Sequence, residues 1–258
     1  LTRKLKFLYD FFSILEDLNT NYWLEGGTAL AAYRDGKIFD WEHDFDIGVL
    51  KDDFEKDIEL FIKKLSLINC TIKIQKNYPF IDNIIQIYSN DPHSNPNQID
   101  IYLFTENKNN IYMRWLNSPI GFGSKIIKSI LYLTSIKLSN YENRKKISYI
   151  LADFIFKIFI FINYNFFKST YHSFPKKFFE RRKKIIFCEM NLNLPYMIDE
   201  FLEYRYGKNW KNPDKNFNQK GKWKKSKARP ILPQNFLKFP KYDYNVYKLK
   251  NNVNKKNK

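Results

Sequence analysis

A strand that carries acidic side chains at alternate positions has little choice about its surroundings, and Asp44–Phe45–Asp46–Ile47–Gly48 reads as such a strand. Side chains alternate faces along extended backbone, so Asp44 and Asp46 share one face, with α-carbons about 7 Å apart, while Phe45 and Ile47 share the other. The apolar pair requires a core. The acidic pair repels itself unless a cation lies between its members. A hard divalent ion such as Mg²⁺ is the natural partner, since it takes oxygen ligands and leaves room for phosphate oxygens. Upstream, a chain with only 8 glycines sets two of them together at Gly26 and Gly27. Backbone without a β-carbon can approach a ligand closely, and the helix expected after it offers free amides and a positive dipole end to a phosphate. Taken alone, the diglycine is equally well explained as a strand-to-helix turn.

Periodicity supplies the frame around these residues. Leu5, Leu8, Phe12, Leu15 and Leu18 recur at helical steps and predict an amphipathic first helix. A short strand, YWLE, follows, and Thr28 is placed to cap the helix ALAAYR through its hydroxyl. FDIGVL has the composition of a strand, and Asp52 to Leu67 predicts a helix with Phe54, Ile58, Phe61, Ile62 and Leu65 on one face. CTIKIQ, IIQIYS and QIDIYLF read as strands, the last two separated by the polar loop NDPHSNPN. This order predicts an α+β fold with a small mixed sheet flanked by helices. Residues 112–204 read as mostly helical, from the runs IIKSILYLTSIKL, ISYILADFIFKIFIF and MIDEFLEYRYG. The expected organisation is a catalytic core over 1–110, a helical region over 111–210 and a basic, partly irregular tail over 211–258.

QIDIYLF adds a third acid. Asp100 stands between Ile99 and Ile101 and is either an edge residue facing water or the carboxylate that completes a metal clamp with Asp44 and Asp46. Such a clamp stabilises the attacking and leaving oxygens of a phosphoryl transfer. The expected metal is Mg²⁺ or Mn²⁺. No HExxH or Cys/His cluster suggests zinc, and Cys70 and Cys188 read as two ordinary thiols.

The net charge of +17 invites a nucleic-acid reading until it is located. Residues 205–258 hold 17 Lys and Arg against Asp214 and Asp243, whereas residues 1–204 hold 27 basic and 25 acidic side chains. The excess therefore belongs to the tail, an arm suited to phosphates, an anionic glycan or an anionic lipid surface. Its scarcity of Arg disfavours nucleic acid, because planar bidentate contacts prefer Arg to Lys. The run Ile147–Phe167 is interrupted by Asp153, Lys157, Asn163 and Asn165, so it reads as a buried or interfacial helix and not as a membrane span. No signal peptide is visible at the start, and the sequence leaves the compartment open: the Golgi or ER lumen if an anchor precedes Leu1, the cytoplasm otherwise.

EGGTALAAYRDGKIFDWEHDFDIGV resembles the signature of the LicD and fukutin family, QIDIYLF resembles its second acidic strand, and YRYGKNWKNP with KGKWKKSKARP resembles its C-terminal segment, closer to the fukutin side. Asp40 stands where that family often has Pro, and Glu42 where it often has Asp. The resemblance covers 20–50, 98–104 and 200–230, and nothing in 112–198. It implies a nucleotidyltransferase (DNA polymerase beta-like) fold. The implied activity transfers a phospho-alcohol, such as phosphocholine or ribitol phosphate, from a CDP-linked donor to a glycan acceptor with release of CMP. Carried onto this chain, Asp44, Asp46 and Asp100 would ligate the metal, with Asp100 alternatively the base. Gly26, Gly27 and Thr28 would hold the donor phosphates, with Arg34 and either Arg181 or Arg182 neutralising charge. Trp210 and Trp223 would cover the site or pack the tail onto the body. Two other readings stay open: a nucleotidyltransferase that leaves the nucleotide on a protein, RNA or small molecule, and a non-catalytic nucleic-acid-binding module using the basic tail.

Overall fold

The computed structural model describes residues 3–72, 84–119, parts of 126–134, 147–166, 169–213 and 231–232. After a 3₁₀ turn, α1 (Lys6–Asp17) leads to β1 (Tyr22–Leu24), α2 (Gly26–Leu30) with a wide π turn over Ala31–Asp35, and β2 (Asp44–Leu50). Then come α3 (Lys51–Lys56), α4 (Ile58–Leu65), β3 (Cys70–Ile72), β4 (Ile84–Ser89), β5 (Gln98–Asn107) and β6 (Asn110–Pro119). The remaining elements are α5 (Ile147–Phe166), β7 (Ser169–Pro175), β8 (Arg182–Phe187), β9 (Met190–Pro195), α6 (Ile198–Tyr206) and β10 (Ile231–Leu232). The architecture is α+β, as expected. The single helix expected over Asp52–Leu67 breaks in two at Asp57, yet it still buries Phe54, Phe61 and Leu65.

Among the described residues the main sheet has eight strands in the order β1-β2-β5-β6-β7-β10, with β3 and β4 joined through β5. It is mixed: β2 and β5 run parallel and the other pairs antiparallel. One expectation fails here: the sheet is not small. Among the described residues beyond 110, the helices share the chain with β6, β7 and the separate β8–β9 hairpin. The segments STYHSFP, RKKIIF and MNLNLP are short and weakly apolar, so the long greasy run of α5 dominated the reading of their neighbourhood. The helical run from Ile126 is described only in part, and Trp223 and nearly all of the basic tail lie outside the described residues.

The core forms where α1 and α4 cover one face of the sheet. Phe11 meets Phe61 and Phe12 meets Phe45, both edge to face, at 6.2 and 5.6 Å between centroids. Phe45 and Ile47 are fully enclosed, as the alternation of β2 requires. Neither Cys70 nor Cys188 is in a disulfide, and each thiol is pushed up to about 12 by burial. Along α5, Ile147, Ile150, Leu151, Phe154 and Ile158 are exposed while Ala152 is buried, so this helix lies at the surface. Among the described residues no helix is long and apolar enough to cross a membrane.

Gly48 explains itself in this frame. It pairs with Trp23 across β1 and β2, and a β-carbon there would lie 2.3 Å from the indole, which is completely buried. The indole lies flat over the strand because nothing projects from it. Gly48→Ala is expected to destabilise the chain by about 1–3 kcal/mol, the usual scale for overpacking a rigid core. An unchanged urea midpoint for this variant would contradict the packing.

Candidate active site

The parallel pairing of β2 with β5 sets Asp46 directly opposite Asp100 and Asp44 opposite Gln98. The carboxylates of Asp44, Asp46 and Asp100 each offer an oxygen, and these oxygens lie within 4.8 Å of one another. Asp46 and Asp100 are 9% and 5% exposed, and Asp44 is half-buried, so the cluster opens on the Asp44 side. Gln86 on β4, opposite Asp100, donates to both of its oxygens at 3.2–3.3 Å, and Gln98 donates to Oδ1 at 2.7 Å. Asp100 is thereby held as an acceptor by two amides.

The electrostatics of the cluster are those of a site short of positive charge. Burial raises Asp46 well above the carboxylate range, and Asp44, Asp100 and Glu42 raise it further against the opposing pull of Arg205. Glu42 is pushed up to about 7, first by burial and then by Asp44. Asp44 is also raised, by burial. Asp46 Oδ1 is buried and has no hydrogen-bond partner. An orphaned anionic oxygen among crowded carboxylates is what a divalent cation satisfies, so the donor set fits Mg²⁺ or Mn²⁺.

The diglycine stands against this cluster. Gly26 has φ +56°, and a β-carbon on it would fall 2.8 Å from Asp46 Oδ2; one on Gly27 would fall 2.6 Å from Glu42 Oε1. Both positions therefore need the missing side chain, Gly26 for its backbone conformation as well. The expected cap is corrected. The helix starts at Gly26 with Glu25 as N-cap, so Thr28 lies inside it, and its hydroxyl accepts from the Asp46 amide at 2.9 Å. Thr28 ties α2 to the acidic strand.

The structure does not gather the expected arginines around the acids. Arg34 is held by Asp35 at 2.8 Å and donates to the Trp210 carbonyl at 3.2 Å. Trp210 is buried and stacks on Tyr33, which fastens the segment after α6 to the body. Arg182 donates to the carbonyls of Tyr22, Phe179 and Arg181 and lies over Trp23, while Arg181 faces Tyr196. Arg182 braces β1 and is lowered to about 10 by burial.

Among the described residues the cation at the cluster is Arg205, from α6, which sequence reasoning missed. Arg205 Nη1 pairs with Glu25 Oε1, and Glu25, fully buried, also accepts from Trp23 Nε1 at 2.9 Å. Burial would lower Arg205, but Glu25, with Tyr206, Tyr102 and Asp46, outweighs it and holds the guanidinium above its ordinary value. Glu25 and Glu42 flank the recognisable motif residues and could have been flagged as buried acids. Arg205 had only its place in YRYG to mark it.

Three carboxylates on adjacent strands of an α+β domain, beside a diglycine helix start, form an arrangement that could hold a divalent cation. Residues 19–131 match the family model described as LicD/FKTN/FKRP, nucleotidyltransferase domain, and the likeness to the LicD family is to that segment. The model spans the LicD, fukutin and fukutin-related branches together, so the fukutin side is not distinguished. The chain is also 45% identical over 40 residues to the proteins named "Ribitol 5-phosphate transferase FKRP" of Mus musculus and Homo sapiens. That stretch is 16% of this chain and spans only 8% of the length of those relatives.

Proposed function

We propose that the chain is a Mg²⁺- or Mn²⁺-dependent phosphotransferase with a nucleotidyltransferase-type fold that moves a phospho-alcohol from a CDP-linked donor to a glycan hydroxyl and releases CMP. The observation that carries this reading is the convergence of Asp44, Asp46 and Asp100, with one Asp46 oxygen buried and unpartnered. The family match supports the class of transfer, and the printed name of the two relatives supports ribitol phosphate as the first donor group to try.

In this reading the acceptor oxygen forms a bond to the donor's distal phosphorus. The bridging P–O bond breaks, CMP leaves with the bridging oxygen, and the hydroxyl proton passes to a carboxylate of the cluster. Asp44, Asp46 and Asp100 would hold the cation, which neutralises charge on the diphosphate and on the departing CMP. Gln86 and Gln98 keep the Asp100 carboxylate in one orientation. Gly26 and Gly27, without β-carbons, let the Asp46 and Glu42 carboxylates come up against the helix start. Arg205, fixed by Glu25, supplies a cation that no side-chain motion has to recruit.

The test is a panel of CDP-alcohols, CDP-ribitol and CDP-choline first, incubated with glycan acceptors with and without Mg²⁺, with CMP release and the mass added to the acceptor both measured. The expected product carries the phospho-alcohol and no nucleotide. Nucleotide found on the acceptor would replace this reading with nucleotidyl transfer. Tight RNA binding at physiological salt, unaffected by Asp46→Asn and accompanied by no transfer, would replace it with the binding-module reading.

A further inference from the structure

The loop that leads into the acidic strand carries a large aromatic side chain that the fold leaves in the open. Trp41 is 60% exposed, although it lies one residue before Glu42 and three before Asp44. A scattered exposed aromatic is ordinary on a protein surface, but this one is held. The Glu42 amide donates to the Phe39 carbonyl at 3.0 Å, closing a turn with Trp41 inside it. The indole stacks on Phe39 at 4.8 Å between centroids with only 12° between planes. Phe39 is itself buried, and the Arg34 guanidinium lies over its ring at 5.3 Å. Arg34 is in turn fixed by Asp35 and the Trp210 carbonyl. The other end of the turn is set by Glu42, whose carboxylate occupies the space beside Gly27. Trp41 is thus a pre-positioned flat apolar surface on the turn that leads Glu42 to the acid cluster. Its order is already established by the protein, so a ligand that stacks on it loses little to ordering the side chain.

We propose that Trp41 is the stacking platform for the nucleobase of the donor nucleotide. The inference rests on the donor reading above and adds where the base is held. Two features favour a planar base over a sugar ring. The Phe39–Trp41 pair is a near-parallel stack that another flat ring extends with the same geometry. The turn also lies against the diglycine, where the phosphates are expected, and in a nucleotide the base is separated from the phosphate by one ribose, which suits a rim position. Arg34 acquires a purpose by this route: it orders the aromatic stack and leaves phosphate neutralisation to Arg205 and the metal. Stacking reads a π-face and not hydrogen-bond edges, so Trp41 sets the requirement for a base without choosing cytosine.

The experiment uses the full chain in Mg²⁺ with two probes, CMP and ribose 5-phosphate, titrated calorimetrically against the unaltered protein, Trp41→Phe and Trp41→Ala. Because the indole is largely exposed, all three proteins are expected to share a melting temperature within a few degrees. Trp41→Ala is expected to weaken CMP about ten- to a hundredfold, the scale of one base–aromatic stack, with Trp41→Phe recovering most of it and ribose 5-phosphate unchanged throughout. Unchanged CMP affinity in Trp41→Ala, or an equal loss for ribose 5-phosphate, overturns this inference and leaves the donor reading standing. So does an effect confined to the acceptor's KM, which would assign the platform to the glycan. Failure of the unaltered chain to bind CMP overturns both.

Discussion

Arg205→Met is expected to destabilise the folded chain by about 3–5 kcal/mol, the usual result of removing one partner from a buried ion pair. Glu25 is fully enclosed, with Trp23 Nε1 and Arg205 Nη1 as its donors. Without Arg205 a carboxylate remains in the core with one indole N–H to satisfy it. The loss reaches further, because Arg205 is also the cation that opposes the accumulated charge of Glu42 and Asp46. A domain with a total stability of about 5–15 kcal/mol forfeits a large part of it. Glu25→Gln should be costly for the reciprocal reason, leaving a buried guanidinium facing a neutral amide. The double variant Glu25→Gln/Arg205→Met removes both charges together and is expected to recover part of the sum. Urea unfolding of the four proteins in a double-mutant cycle measures that coupling. Additive losses would show that the two side chains do not act as a pair, and an unchanged midpoint in Arg205→Met would remove the ion pair from the account of stability.

Asp46→Asn is expected to separate stability from function. The change keeps the shape of the side chain and removes one negative charge from a site where burial and three neighbouring carboxylates all oppose it. In chelator the variant should melt above the unaltered chain, by the equivalent of about 1 kcal/mol, because its amide can donate to Asp44 or Asp100 where the native oxygen has no partner. With the cation the order reverses. Mg²⁺ or Mn²⁺ should raise the melting temperature of the unaltered chain and leave the variant nearly unmoved. Transfer should fall by at least about a hundredfold, the scale of losing one group that stabilises developing charge. A variant that the cation stabilises as much as the native chain would place the metal elsewhere. A variant that melts lower in chelator would show that Asp46 is satisfied in a way the orphaned oxygen does not suggest.

The residues legible from sequence were those whose signal is local. Alternation along β2 put Asp44 and Asp46 on one face and Phe45 and Ile47 in the core without any knowledge of the neighbouring strands. The diglycine announced an unusual backbone, and Gly26 has one. Thr28 was misassigned by a small local error. The helix begins three residues earlier than ALAAYR suggests, which moves the hydroxyl from the cap to the strand. The strands after residue 110 were not legible for a different reason: β7 and β8 owe their strand state to partners distant in sequence or to a hairpin, and their own composition is weak.

Arginine assignments were the least legible, and Arg34 and Arg205 show why. A guanidinium on a long stem goes wherever acceptors and rings are brought to it, so its role depends on contacts that spacing does not encode. Arg34 lies within the recognisable motif yet meets Asp35, Phe39 and Trp210. Arg205 lies far from it in the sequence and pairs with Glu25.

By itself the sequence determined which carboxylates would have to share a face and that an apolar core lay behind them, because both follow from the twofold period of a strand. Only the tertiary structure decided that Asp100 comes to stand opposite Asp46, since parallel pairing of β2 with β5 joins segments separated by two helices and two other strands. It alone decided which cation serves the cluster, because a buried charge takes its partner from whatever the closed fold brings within reach.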